Sequence, residues 1–214
     1  MLEVKGLTVD IGPVNILRDV SLKLESKQMV GFIGRNGAGK TTFLRAVMGL
    51  LQAKSGTIDL DGTELLALPA HHRAGLGMGY MPEDRKLVPN LTVEENIKTP
   101  VWSVGVDDWE ARLEWIYTLI PEALEFRHRP STSLSGGQQK LAALARALMV
   151  GNQMLLLDEP SEGIAPALAK RMSDILANLK AEGVSILIAE SNTQHVADLL
   201  DSMYVVERGS VEAA

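Results

Sequence analysis

The sequence predicts an α/β fold: a mostly parallel core sheet, an antiparallel β portion at the start of the chain, and a helical insertion in the middle. Three observations lead there. Residues 1–30 alternate apolar and polar side chains, as half-buried antiparallel strands do. Short apolar runs at 29–34, 154–157 and 184–189 suit strands buried on both faces. Helix-like patterns over 40–51, 166–182 and 193–201 alternate with those runs.

Each element has a local reason. Leu2, Val4, Leu7 and Val9, then Ile16, Leu17, Val20, Leu22 and Leu24, place apolar residues near period two. Residues 56–62, Gly-Thr-Ile-Asp-Leu-Asp-Gly, read as a further short strand between turns. From about 85 to 150 no convincing strand is found, and the section reads as a helical lobe inserted between strands. The 214 residues are expected to form a single domain, 1–214, with that lobe inside it.

Composition narrows the function classes. With 46% hydrophobic and 22% charged residues, the chain is neither largely disordered, nor collagen, nor a porin. Aromatics are only 4%, so the core must rest on Leu, Val, Ile, Ala and Met. A net charge of −6 lacks the basic footprint of a general nucleic-acid binder. Backbone amides can still hold a small anion locally. With no cysteine, disulfides, Cys-zinc sites and thiol catalysis are excluded. The stretch 141–157 is interrupted by Arg146 and Gly151-Asn152-Gln153 and falls short of the ~20 apolar residues of a membrane span. Any membrane role is therefore expected to run through a partner, and residues 1–5 do not read as a signal peptide.

Gly34-Arg35-Asn36-Gly37-Ala38-Gly39-Lys40-Thr41 fits G-x-x-x-x-G-K-[ST]. Glycines let the backbone turn tightly with its N–H groups aimed at phosphate oxygens, and the following helix adds its positive end. Lys40 can then reach the β- and γ-phosphates, and the Thr41 hydroxyl can ligate Mg²⁺. Met154-Leu155-Leu156-Leu157-Asp158-Glu159 is an apolar strand ending in two carboxylates, where open α/β sheets place ligands. Asp158 is suited to hold Mg²⁺ through water, and Glu159 to polarise an attacking water. Leu134-Ser135-Gly136-Gly137-Gln138 is a second glycine turn opening a helix; a plain N-cap would explain Ser135 equally well.

In chain order, Gly34–Thr41, Leu134–Gln138 and Leu155–Glu159 resemble the Walker A, signature and Walker B sequences of the ATP-binding cassette (ABC) ATPases, a P-loop NTPase family, and the resemblance covers essentially the whole chain. It implies ATP and Mg²⁺ as ligands and a head-to-tail dimer. Gly34, Asn36, Gly37, Ala38, Gly39, Lys40, Thr41 and Thr42 of one subunit would hold a nucleotide capped by Ser135, Gly136, Gly137 and Gln138 of the other. Thr41, Asp158 and Glu83 would serve the metal; Glu159, Lys40 and Ser191 the chemistry. Met81-Pro82-Glu83-Asp84-Arg85, Asn90–Asn96 and Glu159–Pro166 narrow the likeness to branched-chain amino acid import ATPases. That group implies permease subunits as partners, indirectly a substrate-binding protein, no nucleic acid, and a place on the cytoplasmic face of the membrane. A sugar or other solute, or a nucleotide-gated dimerisation module with weak hydrolysis, stays open.

Four positions depart from the cassette pattern. Glu83 stands where most cassettes carry Gln; the branched-chain group is similar in carrying Glu there. Ser191 stands where a His is usual; its short hydroxyl cannot become cationic. Ile11 replaces an aromatic residue expected against adenine, and offers no π face. Ala165 replaces an Asp. His195 is expected to be a surface helix residue, Trp102, Trp109 and Trp115 to pack the lobe, and Arg127-His128-Arg129 to be a solvated face.

Overall fold

A computed structural model describes residues 1–214. In chain order the elements are β1 (Leu2–Ile11), β2 (Val14–Leu24), β3 (Met29–Ile33), α1 (Lys40–Val47), β4 (Ser55–Leu60), β5 (Thr63–Glu64), α2 (His72–Gly75) and β6 (Met78–Met81). Then follow α3 (Val93–Val104), α4 (Trp109–Leu119), α5 (Pro121–Glu125), α6 (Gly136–Val150), β7 (Met154–Asp158), α7 (Pro166–Ala181), β8 (Ser185–Glu190), β9 (Ser202–Glu207) and β10 (Ser210–Ala213).

The strands form two sheets. One is antiparallel, in the order β2-β1-β4-β5. The other runs β10-β9-β3-β8-β7-β6 and is parallel except for the β9–β10 hairpin. Its central strands are buried on both faces, as their unbroken apolar sequences require. Leu155, Leu157, Ile186 and Ile188 face α6, α7 and the helices of 93–125. Met154, Leu156, Leu187 and Ala189 face α1 and the antiparallel sheet. The phosphate loop and both acidic residues sit at the carboxyl ends of β3, β7 and β8, where this layering leaves a cleft.

The span 85–150 carries four helices and no strand, as its sequence leads one to expect. Other expectations need correction. The helix after the phosphate loop stops at Val47 rather than Leu51, because Gly49 takes a left-handed φ of 71° just past the cap. No α-helix spans 193–201. Asn192 Oδ1 accepts from the Gln194 N–H at 3.1 Å, Val196 departs to φ −130°, and only a 3-10 turn at Ala197–Leu199 remains. Asp201 is already tied to β3, through its N–H to Met29 O and its carboxylate to the Met29 N–H, each 2.8 Å. Too few residues lie between to nucleate a helix. His195 consequently sits half-buried in a turn, not on a helix. The strands β6, β9 and β10, absent from the sequence reading, complete both edges of the parallel sheet.

Among the tryptophans, Trp115 lies under the Arg112 guanidinium at 4.0 Å and Trp109 under Lys98 at 5.3 Å, so both pack the lobe. Trp102 does not: it is 62% exposed. His128 and Arg129 are exposed, as expected.

A buried guanidinium joins α1 to the turn before β6. Arg73 is 1% exposed and donates to the carbonyls of Val47, Leu65, Leu68 and Pro69 at 2.6–3.4 Å. Burial lowers its pKa, yet four backbone acceptors satisfy the charge without a paired carboxylate. Arg73→Ala strands those carbonyls and opens a void, so it is expected to cost about 3 kcal/mol or more. A thermal melt should show a drop of about 6–12 °C; a drop under 2 °C would refute this role.

Candidate active site

The phosphate loop is shaped by two glycines. A Cβ on Gly34 would lie 2.3 Å from the Val206 carbonyl, so no side chain fits where β9 backs the loop. Gly39 takes φ 116°, a conformation that L residues rarely adopt, immediately before α1. No side chain caps α1, which leaves its N-terminus for an anion.

Lys40 is 5% exposed. Its ammonium donates to Gly34 O at 2.6 Å and Arg35 O at 3.2 Å, and forms an ion pair with Glu159 Oε1 at 2.8 Å. Thr41 Oγ1 donates to Asp158 Oδ1 at 3.1 Å, and Tyr80 Oη to Asp158 Oδ2 at 3.4 Å. Burial, opposed by the Thr41 bond, pushes the Asp158 carboxyl up to about 6. Burial and the neighbouring Asp158 raise the Tyr80 phenol as well.

Glu159 is held at every polar atom. Its φ of 49° is left-handed, a strained choice for a residue with a long side chain. Its N–H donates to Ala189 O at 2.9 Å, and its carbonyl accepts from the buried Lys140 ammonium. The carboxylate accepts from the Ser191 N–H at 3.1 Å and from the Ser191 hydroxyl at 2.6 Å. That hydroxyl also lies 2.5 Å from Asn36 Oδ1, and its single proton serves one acceptor at a time. Burial pushes Glu159 upward, but the bonds from Lys40, Ser191 and Glu190 outweigh it and hold it below the usual carboxylate range. Glu190 responds oppositely: burial, then the Glu159 charge, lift it to about 7, while it accepts from the Ser161 N–H at 3.0 Å.

The structure brings most sequence-predicted residues together. Asn36, Gly37, Gly39, Lys40, Thr41, Thr42, Glu83 and Glu159 line one cleft of about 340 Å³, with Ile16 as its apolar wall. Asp158, Thr41 and Glu83 also line a larger adjoining cleft of about 830 Å³ between the sheet and the helical region. Ala38 is buried beneath the loop. Ile11 is not part of the cleft; it ends β1 and is 47% exposed, and Ile16 stands in the wall instead. Ser135, Gly136, Gly137 and Gln138 do not line the cleft either. Ser135 and Gln138 form a reciprocal capping box at the start of α6, at 3.0 and 3.3 Å. Ser191 bonds Glu159 and Asn36. Ala165 leaves the start of α7 without a side-chain cap.

Sequence reasoning missed three residues here. Glu190 ends an apolar strand, the same signal that marked Asp158. Lys140 is a cation within an otherwise apolar helical stretch. Tyr80 carried no signal beyond its short strand. The donor set beside Thr41 is all oxygen, which suits Mg²⁺. No group of three or more His, Cys, Asp or Glu closes into a metal cage, so bound phosphates would have to complete the shell of any cation there.

Residues 17–162 match the ABC transporter family. The chain belongs to that family, whose members hydrolyse ATP, and it is an ATPase subunit of the ABC transporter class. It is 35% identical to the high-affinity branched-chain amino acid transport ATP-binding protein BraG of Pseudomonas aeruginosa, over 99% of this chain and 91% of that one. It is also 35% identical to the lipopolysaccharide export system ATP-binding protein LptB of Haemophilus influenzae, over 92% and 83%. A dimeric bacterial ABC transporter cassette shares the fold with a TM-score of 0.88 at 24% identity, covering 99% of this chain and 97% of that one. No helix is long and apolar enough to cross a membrane.

The Glu190 environment has a pH consequence. A carboxyl raised from 4.5 to about 7 on folding opposes the folded state as it ionises. The cost is absent below the unfolded value, grows with pH, and is complete above the folded one. Glu190→Gln mimics the protonated form. It is expected to melt at least about 2 °C above the parent at pH 8 and level with it at about pH 3.5; equal gains at both pH values would contradict the assignment.

Proposed function

We propose that this chain powers uptake of branched-chain or related amino acids through a membrane permease, as one of two paired cassettes on the cytoplasmic face. The convergence of Lys40, Thr41 and Glu159 on one cleft, with Asp158 bonded to Thr41 from the adjoining one, carries the ATPase part of the reading. The likeness to BraG, and to a probable branched-chain amino acid transport ATP-binding protein of Archaeoglobus fulgidus at 32% identity, supports the solute. A substrate-binding protein would then deliver that solute to the permease. Equal identity to LptB supports a second reading, export of a lipid-like solute.

In the proposed reaction Lys40 leaves Glu159 for the β- and γ-phosphates, where charge builds in the transition state. Glu159, freed of its cation but still fixed by Ser191, accepts a hydrogen bond from the attacking water and orients it towards the γ-phosphorus. Thr41 and Asp158, with Glu83 at the cleft rim, would hold Mg²⁺, which supplies neutralisation of phosphate charge. The partly exposed Ser135–Gly137 turn would cap the nucleotide of the partner subunit. Ser191 acts by holding Glu159 rather than as a cation.

Steady-state hydrolysis tests the chemistry. Glu159→Gln is expected to lower kcat by about 100-fold or more while ATP-driven pairing persists on size exclusion. Hydrolysis unchanged in that variant would sink the assignment. Deleting the gene should abolish uptake of labelled leucine and valine and leave envelope permeability intact; the reverse pattern would favour export.

A further inference from the structure

The buried lysine on α6 has no part in the chemistry above. Lys140 is 2% exposed, and burial lowers its pKa against the pull of Glu190, Glu162 and Glu159. Burying an ammonium is costly unless it is bonded. Its bond is to the carbonyl of Glu159, the residue whose backbone is left-handed. An L residue in that region carries a strain of about 1–2 kcal/mol and persists only where its surroundings over-determine it. The Ala189 carbonyl fixes the peptide before Glu159, and Lys140 fixes the peptide after it. With both peptides pinned, the side chain reaches Lys40 and Ser191.

Lys140 lies three residues beyond Gly137, about 4.5 Å along the same helix. That helix begins with the turn that caps the partner's nucleotide in the reading above. It also grips the loop after β6. Arg146 donates to the carbonyls of Arg85 and Lys86 at 2.6 Å, and Gln139 accepts from Arg85 at 3.1 Å. Moving the start of α6 therefore moves the donor that holds Glu159.

We propose that Lys140 is a positioning residue that ties the signature helix to the Glu159 peptide, so that nucleotide capped by Ser135–Gly137 in one site sets the catalytic geometry of the other. The inference rests on the paired-cassette reading above. Each subunit's cap helix braces its own Glu159 while it touches its partner's ATP. The two sites are coupled through one side chain, and hydrolysis is cooperative in ATP.

The test uses the full chain with Mg-ATP. Lys140→Met keeps the stem, removes the donor and leaves no buried ammonium. Lys140→Leu is a second loss variant, and whichever keeps the parent's melting temperature decides. The expected result is a kcat lowered at least about tenfold, a KM for ATP within about twofold, and a Hill coefficient falling from above 1 towards 1. Lys140→Arg, which restores a donor, should recover at least a third of kcat. A folded loss variant with parental kcat and Hill coefficient would overturn the proposal. So would an Arg variant as impaired as the Met variant. A parent chain that neither binds nor hydrolyses ATP would instead refute the function proposed above, so the two failures are distinguishable.

Discussion

The cleft is organised around one buried ion pair. Lys40 and Glu159 come from opposite sides of it, the start of α1 and the end of β7, and meet at 2.8 Å with 5% and 3% of their side chains exposed. Two such charges can share a dry site only because each is satisfied beyond the other. Lys40 has the Gly34 and Arg35 carbonyls; Glu159 has both donors of Ser191. The pair therefore makes the phosphate loop, the acidic strand and the strand ending at Glu190 a single unit. In the reaction proposed above, a polyanion would draw Lys40 away from this pair.

A second layer keeps that pair in register. The carbonyl of Glu190 receives the Gly34 N–H at 3.1 Å, and its carboxyl receives the Ser161 N–H, so the same residue steadies the loop and the turn after β7. Its own acidity is suppressed by burial and by the Glu159 charge, which keeps two adjacent carboxyls from both ionising at low pH. The acidic pair of the sequence motif, Asp158 and Glu159, splits in the same manner. One rises to about 6 beside Thr41 and Tyr80, and the other is held low by Lys40. Environment assigns different roles to chemically similar groups.

The fold was legible where one periodicity dominated. The alternation of residues 2–24 became β1 and β2, the doubly buried runs became β3, β7 and β8, and the strand-free centre became helices. It was illegible where an element is four residues long, as in Met78–Met81, or where tertiary bonds interrupt a local pattern, as Asp201 does after Val196. Within the site, residue types and spacing were enough to bring Lys40, Thr41, Asp158 and Glu159 together. They could not reveal that Ser191 bonds a carboxylate, since the partner lies 32 positions away in sequence. Nor could they separate Ile16 from Ile11, because both flank the hairpin turn and only the path of β2 decides which one faces the loop.

The Val206 carbonyl fills the space a Cβ on Gly34 would need, which gives β9 an unexpected duty. β9 is a backstop for the phosphate loop, and the β9–β10 hairpin is further latched to it by the Gly209 N–H bond to Ala38 O at 3.0 Å. The tail is thus a spectroscopic handle on the loop: a fluorophore attached near Glu207 would sense loop rearrangement from behind, without intruding on the mouth where the nucleotide enters.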